Sequence, residues 1–549
     1  MLVIIPSAGK LPANLESETG STSHSLIKLD GKPILEHICK IYISRNCEAR
    51  FLSIFNQNQN SSLLPSQNIK NHKSIDLAES QSIAHSILFA LEDKDKAPDE
   101  PLIIHMGDTL IDMPKKIPLD SIFTAKRKDL YKWTVLKNTN GIISVIYDRD
   151  PNYFSSIDKS IATGIFIFSS KKLFFEVLRK NLNLKNNKKN LNSKDPFFDA
   201  IYEYSKIKKM KFVNSKNWLD FGHISGLYES KLKYQNVRHF NQLEFCQITS
   251  TVKKTSKYKP QFRNQIKWFD QVPDNLKYFC PRIYESSDGD NPYLVMEMLP
   301  FPTLSELFID KRIEIGEWNS IARSLAEILN RFDRYSFSSD ICSSLNYSMY
   351  FDKTYERIEN FLNQSSDAHL LNVKKDNKNF DLEFVLRKLK VFLDSFDLIN
   401  YKTLTPIHGD FCFSNLLFDS KSQMTKMIDP RGEFGVPGIY GDKRYDLAKL
   451  FHSVSSGYDF IMSGKFNYKL SKSKEISLEI NYENYHSKVN DIFNLYFFKN
   501  EGLKFQVQAI QALLFLSMLP LHKDNAERQI AMTGVGLNLF ANLFKKIDI

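Results

Sequence analysis

A change of rhythm near residue 236 constrains this chain more than any other feature. Up to about residue 230, short apolar runs alternate with stretches of helical spacing: LVIIP, KPILEHICKIYIS, RFLSIF, SQSIAHSILFALED, PLIIHMGD, SIATGIFIF and SKKLFFEVLRK. That alternation predicts an α/β domain, a Rossmann-like mixed or parallel sheet covered by helices. Beyond it, LEFCQITSTVKKT reads as an antiparallel strand pair, QFRNQIKWFDQV as a helix and PYLVMEML as a strand leading into TLSELFI. From about residue 316 the text is mostly helical. A small β-rich lobe followed by a larger helical one is an α+β order. The expected domains are therefore 1–235 and 236–549, the second divided into a small lobe 236–300 and a helical lobe 301–549. A chain of 549 residues is in any case too long for one hydrophobic core.

Composition narrows the function classes. Hydrophobic residues make up 42% and charged residues 25%, with 42 Phe, the balance of a globular protein. The net charge is +11, but the densest basic run, KNLNLKNNKKNLNSK at 180–194, has no aromatics to stack on bases. It reads as a solvated loop rather than a nucleic-acid patch, and the basicity suits anionic small molecules instead. The six cysteines form neither a C-x-x-C pair nor a zinc-spaced cluster, so they read as buried or inert thiols in a reducing compartment. No basic segment precedes the N-terminal apolar run, and AIQALLFLSMLPL at 509–521 reads as a core helix too short for a bilayer. A cytoplasmic protein without membrane insertion is expected.

The second domain holds the strongest motif. Phosphoryl transfer to an alcohol needs a carboxylate for the hydroxyl proton, metal ligands for Mg²⁺ and a lysine on the nucleotide phosphates. HGDFCFSN supplies Asp410 and, five residues later, Asn415; fourteen residues further, MIDPRG ends an apolar strand with Asp429. This set resembles the aminoglycoside phosphotransferase and choline kinase family, whose loop is H-G-D-x-x-x-x-N followed by a strand-borne Asp, with a two-lobed protein-kinase-like fold. The resemblance implies ATP as substrate, Asp410 as catalytic base, Asn415 and Asp429 as Mg²⁺ ligands, and His408 as a stabiliser of the loop. In GDKRYDLAKL, Asp446 is expected to open a helix. STVKKTS places two lysines on a strand where alternation lets one face the nucleotide, Lys254 being preferred and Lys253 the alternative. The family's helical Glu partner for that lysine is replaced by Gln265 in RNQIKW. Glu297 and Met298 in LVMEML resemble the hinge that contacts adenine through its backbone. His522, near the last helices, reads as a helix-end histidine.

The first domain resembles the sugar-nucleotide pyrophosphorylases. IIHMGDTLI ends a strand beside Asp108, and NWLDFGH supplies Asp220 in a W-L-D-x-G context. The resemblance implies that these aspartates clamp one Mg²⁺ while a second NTP is attacked by a sugar phosphate. Ser7, Ala8 and Gly9 begin the loop after the first strand, Gln81 falls where base contacts lie, and Gly164 matches the sugar-contacting strand. The chain departs from the family at G-x-G-T-R, which is absent. His24 stands where a lysine is expected before LI, and YDRDP replaces E-K-P with Arg149 standing in; Lys10 or Arg149 would then serve the phosphate.

Together the resemblances imply a bifunctional transferase: a kinase whose product the first domain activates as a nucleotide derivative, as in fusions for capsule or surface-polysaccharide precursors. Its partners would be small molecules (ATP, an NTP, a sugar or sugar phosphate), with homo-oligomerisation left open. The alternatives are a kinase with a regulatory first domain, a choline or ethanolamine kinase fused to a cytidylyltransferase, and a scaffold without turnover.

Overall fold

The computed structural model of the protein describes all residues except 30–31, 46–47, 58–68, 70, 79, 93–97, 127–132, 147–159, 188–195, 237–240, 247–248, 365 and 548–549. The chain divides into two compact units, Met1–Val237 and Arg238–Ile549.

The first unit is built on a nine-stranded mixed sheet. Its parallel half comprises β1 (Leu2–Pro6), β2 (Arg50–Asn56), β3 (His72–Leu77) and β4 (Leu102–His105). The chain runs outward from β1 through β2 to β3, then returns to place β4 on the other side of β1. The strand order therefore switches direction between β1 and β4, the place where sheets of this kind open a crevice at their carboxyl ends. The strand Ser160–Phe168 joins β4 antiparallel and leads to the rest of the sheet.

Residues 2–5 of β1 are wholly buried, and their alternation divides two cores. Val3 and Ile5 pack with Ile34, Ile38 and Tyr42 of the helix Ile34–Ile43 on one face. Leu2 and Ile4 pack with Ile87, Leu91 and Phe174 on the other. A continuous apolar run is what a strand covered on both faces requires. The helix begun at Lys171 continues to Asn187, so the first part of the Asn/Lys-rich run is helical rather than loop. Its remainder at 188–194 lies outside the described residues.

The second unit opens with a four-stranded antiparallel sheet of β5 (Asn241–Cys246), β6 (Thr251–Ser256), β7 (Ile283–Ser287) and β8 (Tyr293–Glu297), in the order β5-β6-β8-β7. The helix α1 (Lys259–Gln271) follows β6 and buries Phe262, Ile266, Trp268 and Phe269. The rest is mostly helical, including α2 (Lys353–Gln364), α3 (Lys443–Val454) and α4 (Glu501–Met518). Short strands and hairpins interrupt it, among them a strand at Thr403–Pro406 and a hairpin of Leu416–Asp419 with Met424–Met427.

With the turn that follows it, α4 runs to His522 and is long and apolar enough to cross a membrane, longer than the sequence pattern suggested. However, 67% of its apolar window is buried inside the unit, as a core helix requires. His522 closes that helix-end turn. Of the cysteines described, Cys246 is exposed and the others are buried.

Candidate functional site

In the second unit, residues distant in sequence converge on the loop after the strand Thr403–Pro406. Gly409 has φ +78°, and a Cβ there would lie 2.8 Å from Cβ of Arg431, so both conformation and space call for glycine. The loop is stitched to the segment carrying Asp429: the Arg431 N–H donates to the His408 carbonyl at 2.8 Å, and the Ile428 N–H to that of Asn415 at 2.9 Å. Asp429 is held at φ +57°, an unfavourable conformation for a residue with a Cβ.

Asp410 accepts from Lys449 Nζ at 2.8 Å and from Asn415 Nδ2 at 2.9 Å. Burial alone would raise its carboxyl, but Lys449, His408 and Arg431 hold it well below the usual carboxylate range. It is therefore ionised, and its side chain is partly open to solvent. The Asn415 amide nitrogen also holds the Asp410 carbonyl at 2.9 Å, which leaves the side-chain oxygen as the atom that could meet a cation.

Asp429 accepts from Lys254 Nζ at 2.7 Å and from Gln265 Nε2 at 3.4 Å. Gln265 thus donates to the same carboxylate oxygen as the lysine, and the lysine's partner is Asp429 rather than a helical acid. A carboxylate and an amide oxygen beside a lysine are hard donors of the kind Mg²⁺ accepts when phosphates complete its shell.

The structure bears on four sequence expectations. Lys253 lies on the opposite face of β6 from buried Lys254 and sits over the Tyr293 ring, because successive side chains alternate. The N–H groups of Glu297 and Met298 donate to Arg282 and Ser250, at 2.8 and 3.0 Å. Both N–H groups are engaged within the protein, so neither is available as a donor to a base.

His408 is fully buried, and both ring nitrogens are engaged. Nε2 donates to the Ile428 carbonyl at 2.9 Å and Nδ1 accepts the Asp410 N–H at 3.3 Å. Burial pushes its pKa down to about 4, so it is a neutral positioning residue and not a reacting group.

Asp442, not Asp446, caps α3, accepting from the Arg444 N–H. Asp446 lies one turn inside, where its carboxylate accepts the His408 and Gly409 N–H groups at 2.7 and 2.8 Å. The sequence reading also missed Lys449. It falls three residues after Asp446, one helical turn on the same face, and that spacing was the available signal.

In the first unit, Ser7 follows β1 and Asp108 follows β4, on the two sides of the crevice. His105 sets the turn before Asp108. Its Nε2 donates to the Thr109 carbonyl at 3.0 Å, and Tyr42 Oη donates to its Nδ1 at 2.7 Å. Burial holds this histidine neutral, with a pKa pushed down to about 4.

Asp220 ends the strand Lys216–Asp220, pairing with Thr109. Gly222 lies between the two carboxylates: a Cβ there would be 2.7 Å from Asp108 Oδ2 and 3.4 Å from Asp220 Oδ1. The Asp220 oxygens accept from the Gly222 N–H at 3.0 Å and meet His223 Nδ1 at 3.1 Å. Burial raises its carboxyl, with His223 lowering it and Asp108 adding to the rise. Two neighbouring carboxylates, one resisting ionisation, suit a hard divalent cation. Among the described residues no group of three or more His, Cys, Asp or Glu gathers as metal ligands.

The remaining expectations are unevenly placed. The Ser7 N–H donates to the Ile54 carbonyl at 2.9 Å, and the Ser7 carbonyl accepts from Ser23 Oγ at 2.7 Å. Ser7 therefore staples the loop and has no N–H for a phosphate. Ala8 is buried in the core, whereas Gly9 and Lys10 are exposed. Gln81 is exposed just before the helix Ile83–Glu92, on the loop after β3.

His24 begins a short helical turn and is half-buried. Gly164 has φ +94° at an irregularity in its strand, where a Cβ would lie 3.1 Å from Met106 Cβ. Its carbonyl accepts the Met106 N–H at 2.8 Å, so it lets the strand approach the turn bearing Asp108. Arg149 lies outside the described residues.

No protein-family model matches the sequence, and no curated protein matches it. Among solved structures, the chain is similar to the nucleoside-diphosphate-sugar pyrophosphorylase from Vibrio cholerae RC9, at 15% identity and a TM-score of 0.34. That match covers 42% of this chain and 100% of that one. It is also similar to the CTP:phosphocholine cytidylyltransferase LicC from Streptococcus pneumoniae, at 12% identity and a TM-score of 0.33, over 43% of this chain and 98% of that one. A third is the inositol-1-phosphate CTP transferase from T. maritima, at 15% identity and a TM-score of 0.31, over 43% and 96%. At these values the likenesses assign neither activity nor substrate.

Proposed function

We propose that the chain is a two-site transferase. The unit Arg238–Ile549 transfers a phosphoryl group from ATP to the hydroxyl of a sugar or similar small molecule. Asp410 orients the hydroxyl and takes its proton, Lys254 binds the nucleotide phosphates, and Asn415 with Asp429 would hold Mg²⁺. When bound, the metal neutralises charge on the transferring phosphate. The observation that carries this reading is the meeting of Lys254 with Asp429 at 2.7 Å, across 175 residues, in the unit where Asp410 holds Asn415.

The unit Met1–Val237 then transfers a nucleotidyl group from an NTP to the resulting phosphate, with Asp108 and Asp220 as the metal pair. Carrying both steps on one chain raises the effective concentration of the intermediate. Precursor synthesis for a capsule or surface polysaccharide is the setting such a sequence of reactions suits. A second reading, a first unit that binds ligand without turnover, is favoured by the engagement of both Asp220 oxygens within the protein.

The test follows two products in the full chain. Asp410→Ala should abolish ATP-dependent phosphorylation while leaving pyrophosphate release from a supplied sugar phosphate, and Asp108→Ala should do the reverse. Loss of both activities in either variant would sink the two-site reading. Absence of pyrophosphate release from the wild type with every NTP and sugar phosphate would favour the binding-only first unit.

A further inference from the structure

Beside Asp410, the helical part of the second unit carries a cluster of cations that the transfer step does not use. Lys353 and Arg357 lie four residues apart on α2, on one face. Lys353 Nζ is 3.3 Å from Tyr445 Oη, and Arg431 Nη1 is 3.4 Å from the same oxygen. The Arg431 stem packs against Gly409, next to Asp410.

Arg431 is paired with Glu433 at 3.3 Å and Lys449 with Asp410 at 2.8 Å. Lys353 and Arg357 are different: among the described residues neither has a carboxylate within ion-pair distance. Among the described residues, the Arg357 side chain donates to the Ser517 carbonyl at 3.1 Å. The local field is correspondingly positive. Burial and the neighbouring arginines push Lys353 down to about 8, and although burial would raise the Tyr445 phenol, Lys353 and Arg431 hold it down to about 7.

Two half-buried cations that interact with Tyr445 but have, among the described residues, no carboxylate at ion-pair distance leave room for the negative charge of a ligand. We propose that the phosphoryl acceptor is an anion, a hydroxyl compound bearing a carboxylate or phosphate, and that Lys353, Arg357 and Arg431 bind its charged group while its hydroxyl faces Asp410. This inference rests on the kinase reading of the same site. The nucleotide's own phosphates have a separate lysine, Lys254, at Asp429. A choline- or ethanolamine-type acceptor would meet like charge, which disfavours that alternative.

The test uses the full-length chain with Mg-ADP present for calorimetric binding, and ATP for ADP release. The probes are D-glycerate for the carboxylate, sn-glycerol 3-phosphate for the phosphate, glucose as a neutral sugar, and choline as a cation. An anionic probe should bind in preference to glucose and choline, and the favoured one identifies the charged group. Lys353→Met and Arg357→Met should each weaken that binding at least tenfold without weakening ATP, while Arg357→Lys should largely retain it. Preferential binding of glucose or choline, binding of neither anion, or a loss of ATP affinity in place of anion affinity would overturn the proposal. Anion binding that is lost in the variants, without ADP release from any probe, would retain the anion site and reject the kinase reading instead.

Discussion

Asp446→Leu is the perturbation that most directly tests how the loop His408–Asn415 is held. The Asp446 side chain is buried, and its two oxygens accept the backbone N–H groups of His408 and Gly409 at 2.7 and 2.8 Å. Leucine branches at the same atom and, although larger, has no acceptor, so two buried donors lose their partners. Each unsatisfied donor costs about 1–3 kcal/mol, which gives about 2–6 kcal/mol for the pair. If the whole cost falls on the loop, protection of these amides from hydrogen exchange falls roughly thirtyfold at the low end of that range, since about 1.4 kcal/mol is a factor of ten. Peptide-resolved exchange across 405–412 in the full chain measures it, with ADP release followed in parallel. Unchanged protection at His408 and Gly409 would refute the reasoning.

The charge state supplies a second readout of the same residue. Burial raises Asp446 to about 7, against bonds from the two N–H groups that lower it. A raised carboxyl contributes stability that is fully present below its unfolded pKa, near 3.9, and is lost as pH rises through 7. Buried His408 acts in the opposite sense: folded near 4, it contributes stability present above its unfolded value and lost as pH falls. Removing the Asp446 titration with Asp446→Asn should therefore make stability rise more steeply between pH 4 and 7. An unchanged slope in urea titrations at several pH values would reject the assignment.

Two further outcomes are expected. Lys449→Met removes the cation 2.8 Å from Asp410; because that carboxylate is half-open to solvent, the pair is worth only about 1–2 kcal/mol. The acid limb of the pH–rate profile for ADP release should rise by about one pH unit, and an unmoved limb would show that Lys449 does not hold Asp410 ionised. Gly226→Ala places a methyl group against the Asp220 carboxylate from the adjoining helix. It should destabilise the first unit by about 1–3 kcal/mol and suppress pyrophosphate release, and retention of both wild-type melting and wild-type turnover would contradict the packing.

Much of the architecture was legible from local pattern. The strand LVIIP is continuous because both faces are covered, and period-two alternation sorts its residues into two cores. The same alternation implied that only one of Lys253 and Lys254 could face inward. Local rules failed where an element's end or partner was decided elsewhere. Asp446 looked like a helix opener because its charge suits the first turn, yet Asp442 has the capping geometry and Asp446 serves the loop. Met298 reads as a residue that contacts a base through its backbone, and its N–H is taken by the Ser250 carbonyl.

The sequence by itself determined what depends on short spacing: the change of pattern near residue 236, the loop joining Asp410 to Asn415, and the apolar strand leading to Asp429. Only the tertiary structure decided the electrostatics of that loop. Lys254 reaches Asp429 across 175 residues, Lys449 approaches Asp410 from a separate helix, and Lys353 meets Arg431 at the Tyr445 hydroxyl. Periodicity fixes which face of an element a side chain occupies. It carries no information about which distant face lies opposite, and charges interact with whatever lies opposite.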